Sequence, residues 1–248
     1  MYSGLVGGFP TTFGTSGLLY RSNKLMYDRV TFSLWSQLLG EPVIGPLADS
    51  GIKLDFFPSV LTTWGEWLEE HPDTTVLSPV TGFYLPQFYT HERDASSIYF
   101  DYRSDPDRRF AVWNRDDRLD LKAEILGLSV GDVHKAYPLE ALQSEGLVND
   151  VVGGAEVVIV ASEDSSSTRV YARDGLEFAA TGAAGPGGRP QTLVDADGME
   201  WRVTEEGLVN ATDPSRILPR IPSRLAFWFG WFAFHPDTLF HSSEGDSP

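Results

Sequence analysis

Apolar residues fall mostly into alternating stretches or short unbroken runs, so the pattern predicts a chain built mainly of strands. Residues 157–161 form a continuous Val-Val-Ile-Val-Ala run and residues 168–172 follow an acidic, Ser-rich turn; with residues 176–180 after Asp174-Gly175 they fit an antiparallel meander. Residues 18–28, 98–102, 109–113, 125–128 and 201–204 are further strand candidates. Helical spacing is rarer. Trp64, Trp67 and Leu68 share one helix face, Glu66, Glu69 and Glu70 lie away from it, Ser59 or Thr62 can cap the start, and Pro72 stops it. The apolar run 225–234 reads as a core or interfacial helix, and residues 139–144 as a short third helix. Residues 179–191, rich in Gly, Ala and Pro, read as a flexible loop; residues 148–154 read as a turn closed by Asn149, Asp150 and two glycines; residues 242–248 read as a disordered tail.

The two main helix candidates are related. Residues 58–74 align without gaps to residues 222–238, with nine of 17 positions identical, and both end in Trp-x-x-Trp-x-x-x-His-Pro-Asp-Thr. Upstream, with small gaps, Phe13-Gly-Thr-Ser-Gly17 matches Phe178-Ala-Ala-Thr-Gly182, and Asp28 and Trp35 match Asp195 and Trp201. The expected fold is α+β and β-rich, with two pseudo-repeats of antiparallel strands, each closed by a Trp-containing helix. Residues 1–77 would be the first repeat, 78–122 an ordered connector, and 123–241 the second repeat. Nothing before Phe13 corresponds to the opening of the second copy, so the natural protein is expected to begin several tens of residues earlier.

Composition narrows the function classes. With 42% apolar residues and seven Trp, the 248-residue chain can bury a sizeable core. No run approaches the roughly 18 apolar residues of a membrane span, and no signal peptide is evident in the given chain. Zero cysteines exclude disulfides and thiol chemistry within it. A net charge of −16 makes nucleic acid a poor partner, because a strongly negative field repels phosphates. Only four of the basic residues are Lys; salt adaptation and a GC-rich genome both account for that bias.

Two constellations could carry chemistry. In the repeated box, helical spacing puts the tryptophans and the histidine on one face, so His71 and His235 are candidate metal ligands or proton carriers, oriented by Asp73 or Asp237. The structural alternative places each His at a helix C-terminus, with Pro as terminator and Asp-Thr as a turn. The second constellation is Asp28, Arg29, Ser33, Trp35 and Gln37, a polar set with an aromatic floor suited to a small polar ligand. Its structural alternative is a strand pair held by an Asp-to-backbone turn and a buried Trp. Strand alternation sends Tyr27 and Arg29 to one face and Asp28 to the other. No phosphate loop, dinucleotide Gly pattern, zinc-protease motif, calcium loop or nucleophile elbow is present.

Residues 13–29, 33–37, 64–77, 135–138, 149–154 and 228–238 resemble the family called domain of unknown function 3179. The resemblance implies an exported or membrane-anchored, extracytoplasmic parent, and a Cys-Pro-x-Cys-like segment just upstream of the Phe-Gly-x-Ser-Gly motif. Two readings follow: an extracytoplasmic binding or scaffold module with no catalytic site in this chain, or a fragment of a metal-binding or redox enzyme whose key cysteines lie upstream of Met1. The cofactor and the oligomeric state are left open by the sequence.

Overall fold

In the computed structural model, which describes residues 1–92, 94–105 and 111–242, strands dominate and the helices are short. A two-stranded ribbon of β1 (Leu5–Val6) and β2 (Phe9–Pro10) precedes an antiparallel sheet of β3 (Phe13–Tyr20), β4 (Asn23–Asp28), β5 (Leu34–Ser36) and β6 (Glu41–Ile44), paired in sequence order. Helix α1 (Trp64–Glu70) follows, then a single 3-10 turn at Pro86–Tyr89 and the one-turn α2 (Phe100–Ser104). The second part begins with β7 (Glu124–Val130), β8 (Val133–Pro138), α3 (Leu139–Glu145), β9 (Leu147–Val152), β10 (Ala155–Ala161) and β11 (Thr168–Ala172). It continues through β12 (Phe178–Ala184), β13 (Pro190–Asp195), β14 (Glu200–Val203), β15 (Gly207–Asn210) and β16 (Ile217–Pro219), and ends with β17 (Ser223–Phe227), α4 (Trp228–Phe232) and β18 (Leu239–Phe240).

Strand β10 explains the architecture. Its side chains alternate faces, so an unbroken apolar run serves two cores at once. Val157, Ile159 and Ala161 face Leu126, Leu128, Tyr137 and Leu142, while Val158 and Val160 face Tyr171, Leu193, Trp201 and Leu208. The sheet β11-β10-β9 is thereby sandwiched between β17-β7-β8-β18 and the five-stranded β12–β16 meander. On the far side of β7 and β8, α4 packs Trp228, Trp231 and Phe232 onto Ile125 and Ala136. Gly127 makes this approach feasible, because an added Cβ would stand 2.3 Å from the Trp231 ring. Among the described residues, every strand pairing is antiparallel except β18 with β8.

Several expectations are corrected. Residues 98–102 are not a strand: Asp94 and Ser97 accept backbone bonds that wind the chain through turns into α2. Residues 179–191 form a hairpin rather than a loop, since pairing with β13 overrides the weak strand propensity of Ala and Gly. Strand β12 belongs to the next sheet, so the meander comprises β9, β10 and β11. Residues 148–152 lie within β9, and only Gly153-Gly154 turn the chain, both at positive φ. The run 225–234 is divided: its first half pairs with β7 as β17, and α4 starts at Trp228.

Helix α1 also differs from its amphipathic reading. Its N-cap is Thr63, whose Oγ accepts from Glu66 N at 3.2 Å. Glu66 is buried, while Trp64 and Leu68 are exposed, because the face that meets the rest of the protein is the one packed against the 3-10 turn Pro186–Gly188. Of the expected strand 109–113, residues 109 and 110 lie outside the described residues and Ala111 to Trp113 are not in a strand. The expected disordered tail also lies outside them, apart from Ser242.

Candidate functional site

The Asp28 carboxylate sits at the end of β4, buried and surrounded by donors. It accepts from Val30 N (3.1 Å), Thr31 N (2.5 Å), Thr31 Oγ1 (2.6 Å), Ser33 N (3.2 Å) and Trp35 Nε1 (3.0 Å). Burial alone would push its pKa up, but the bonds from Thr31, Trp35 and Val30 hold it below the usual carboxylate range. Asp195 is built alike: Trp201 Nε1 donates at 2.9 Å, and Met199 N and Asp197 N donate at 2.9 and 3.1 Å. There too burial is outweighed by these bonds, and the pKa falls. Phe13 meets Trp35 edge-on at 5.8 Å, as Phe178 meets Trp201 at 5.9 Å.

Of the five polar candidates, Asp28, Ser33 and Trp35 come together, and they face one another. The Ser33 hydroxyl is already engaged: it donates to Thr31 Oγ1 (2.8 Å), whose own proton goes to Asp28, and accepts from Leu47 N (3.0 Å). Arg29 is exposed and donates to the Tyr27 hydroxyl at 3.0 Å. Gln37 lies elsewhere, on the wall of a cleft.

The two Trp-His boxes share a local geometry. Trp67 Nε1 donates to Thr74 Oγ1 (3.0 Å) and Trp231 Nε1 to Thr238 Oγ1 (2.9 Å). His71 N and His235 N each donate to the carbonyl of their own box's second Trp, at 2.8 and 3.0 Å, and the His rings lie 4.0 and 4.3 Å from the indoles. Asp73 and Asp237 are exposed. The buried Nε2 of His71 has no hydrogen-bond partner among the described residues. His235 stacks on His134 at 3.8 Å, and burial, reinforced by His134, Arg224 and Arg21, pushes its pKa down to about 3. Among the described residues, no three His, Cys, Asp or Glu side chains are grouped to hold a metal ion.

A cleft of about 630 Å³ opens between the first sheet and the β17-β7 edge. Met26 and Gln37 line it from one side, Leu126, Ser223 and Leu225 from the other, and Phe56 from the segment before α1. Arg224 lies across it. Its guanidinium donates to the Tyr2 hydroxyl (2.8 Å) and the Gln37 carbonyl (3.1 Å), and stands 4.1 Å from the centre of the Phe56 ring. Burial raises the Tyr2 pKa against the pull of Arg224. Sequence reasoning missed Arg224 and Phe56; the available signal was a lone cation inside the second copy of the box, where the first has Val60.

The strand-rich sandwich with a short Trp-bearing helix places the protein among β-rich α+β folds. The chain belongs to the family described as protein of unknown function DUF3179, whose model matches residues 1–238. No curated protein and no solved structure is significantly similar to it. Among the described residues, no helix is long and apolar enough to cross a membrane.

Proposed function

We propose that this chain is a binding module without catalytic chemistry of its own, made of two pseudo-repeats and working outside the cytoplasm, and that it takes a small ligand in the cleft between them. The observation that carries the reading is the cleft at Arg224. Its volume lies within the few hundred to about 1,000 Å³ of ordinary small-molecule sites. Its walls are mainly aliphatic and aromatic, and one guanidinium supplies the polar anchor, which suits a ligand with an apolar body and a polar or anionic end.

Two repeats of common origin are supported by the matched Asp-Trp turns and by the matched Trp-Thr bonds, contacts that chance placement would not reproduce in pairs. The extracytoplasmic setting rests on the family resemblance alone. Titration with 8-anilinonaphthalene-1-sulfonate, an apolar body carrying one anionic group, tests the cleft. Saturable binding that weakens roughly tenfold in a folded Arg224→Ala variant is expected, as for loss of one charged hydrogen-bonding anchor. Equal affinity in the two proteins would remove the cleft from consideration.

A further inference from the structure

Away from the cleft, three arginines are buried around Tyr171 where the two parts of the chain meet. Arg169 and Arg189 are each 3% exposed, and the Arg220 side chain is 7% exposed. Burial on this scale is unusual for guanidinium groups, which need full pairing to leave water. Two carboxylates serve the three. Glu205 takes Arg169 through Nε (2.7 Å) and Nη2 (2.6 Å), and takes Arg220 Nη1 at 2.5 Å. Glu70, on the last turn of α1, is paired with Arg189. The buried acid of α1, Glu66, accepts from Thr62 Oγ1 at 2.6 Å and forms no ion pair among the described residues.

The donors are therefore under-served. Among the described residues, Arg189 Nε, Arg220 Nε and the hydroxyl of the fully buried Ser162 have no hydrogen-bond partner. Ser162 opens the 162–167 loop, which adjoins the other groups: Ser167 Oγ accepts from Arg169 at 2.8 Å, and Asp164 N donates to Gly187 O beside Arg189. Burial and the neighbouring Arg169 both work against the charge on Arg189, so the cluster gains from additional negative charge. A buried donor without a partner costs about 1–3 kcal/mol, which an incoming acceptor would recover. In a chain of net charge −16, such a concentration of guanidinium groups is the part of the protein most suited to an anion.

Glu70 is the replaceable partner. Its side chain is 26% exposed, and α1 is the less buried of the two Trp-bearing helices. We infer that Arg169, Arg189 and Arg220 form a receptor for a small oxyanion, either a phosphate-like ion or the carboxylate end of an organic acid, and that the Glu70 carboxylate stands in for this ligand at Arg189. Binding exchanges an internal carboxylate for an external one and leaves Glu66 of α1 against Gly187 of the hairpin turn.

Calorimetric titration with inorganic phosphate and, separately, with malonate tests this, with chloride at matched ionic strength as control. Phosphate, malonate or both should give a saturable heat at one site per chain, and which of them does so identifies the kind of anion; chloride should give none. In Glu70→Gln the same anion should bind at least about tenfold tighter, since its competitor loses its charge. In Arg189→Gln, checked for folding by near-ultraviolet circular dichroism, the heat should vanish; if that variant does not fold, Glu70→Gln carries the test. Absence of saturable heat from both anions in the wild type and in Glu70→Gln would overturn the assignment, as would unchanged binding in folded Arg189→Gln. Because the Arg224 cleft is a separate site, binding of the fluorescent sulfonate there is independent of either outcome.

Discussion

Helix α4 lies on β7 and β8 with Trp228 and Trp231 sealed from water, whereas α1 leaves Trp64 48% and Leu68 38% exposed and meets its neighbours through Glu66 and Glu70. Both carry the same box, and inside it the bonds coincide: indole to threonine hydroxyl, histidine amide to tryptophan carbonyl. The difference lies beneath the helix. An apolar sheet floor with a glycine at the contact point receives Trp231, while α1 has the Pro-Gly-Gly turn at residues 186–188 and the Arg189 guanidinium beside it. The variable positions inside the box follow suit, since Glu66 and Glu70 stand where the second box has Gly230 and Phe234. A conserved local pattern can thus keep its internal hydrogen bonds while its burial, and hence its energetic weight, is set by what it packs on.

That contrast can be broken by substitution. Trp231→Ala, which empties a fully buried site, should cost about 3–5 kcal/mol in urea unfolding. A loss below 1 kcal/mol would mean the α4 core is not packed as described. Asp28→Ala strands the buried Trp35 indole and Ser33 amide together with the part-buried amides of Val30 and Thr31, so a cost of about 2–3 kcal/mol is expected by the same measurement. The half-buried Trp67 should be worth less than its counterpart, about 1–2 kcal/mol on truncation; equal penalties for Trp67→Ala and Trp231→Ala would erase the distinction between the helices.

A further probe is pH. His235 stays neutral in the folded state down to about pH 3, whereas in the unfolded chain it takes a proton below about 6.5. Stability should therefore be fully present above pH 6.5 and fall by roughly 1.4 kcal/mol per unit between there and about 3 from this one group. The depressed carboxylates Asp28 and Asp195 add a further loss at lower pH, as they are protonated through their folded values. In His235→Gln the upper part of this slope should flatten; an unaltered profile would show that the ring is not held neutral by burial.

Local chemistry was the part legible in the sequence. The β10 run, the recurrence of Asp28 and Trp35 as Asp195 and Trp201, and the reading of each as an Asp turn over a buried Trp depend on neighbours within a few residues, and they match the contacts observed. Partners distant in sequence were not legible. Nothing near Glu70 indicates Arg189, nothing near Gln37 indicates Arg224, and the polar face of α1 looks solvent-directed until the 185–189 turn is placed against it. Weak propensity misled for the β12 hairpin, because its pairing is set by β13 and β9; the Asn149 side chain bridges to the backbone of Phe178 at 2.8 and 3.0 Å. Of the candidate site, only Gln37 reaches the cleft, since the other polar residues are turned to one another or to solvent.

Hydrogen exchange at the tryptophan indoles, followed by nuclear magnetic resonance, reads both halves of the comparison at once. The account predicts slow exchange for Trp35, Trp201 and Trp231, whose N–H groups are buried and bonded, and distinctly faster exchange for Trp67, bonded to Thr74 in a half-exposed setting. Protection of Trp67 equal to that of Trp231, or rapid exchange at Trp35, would contradict it.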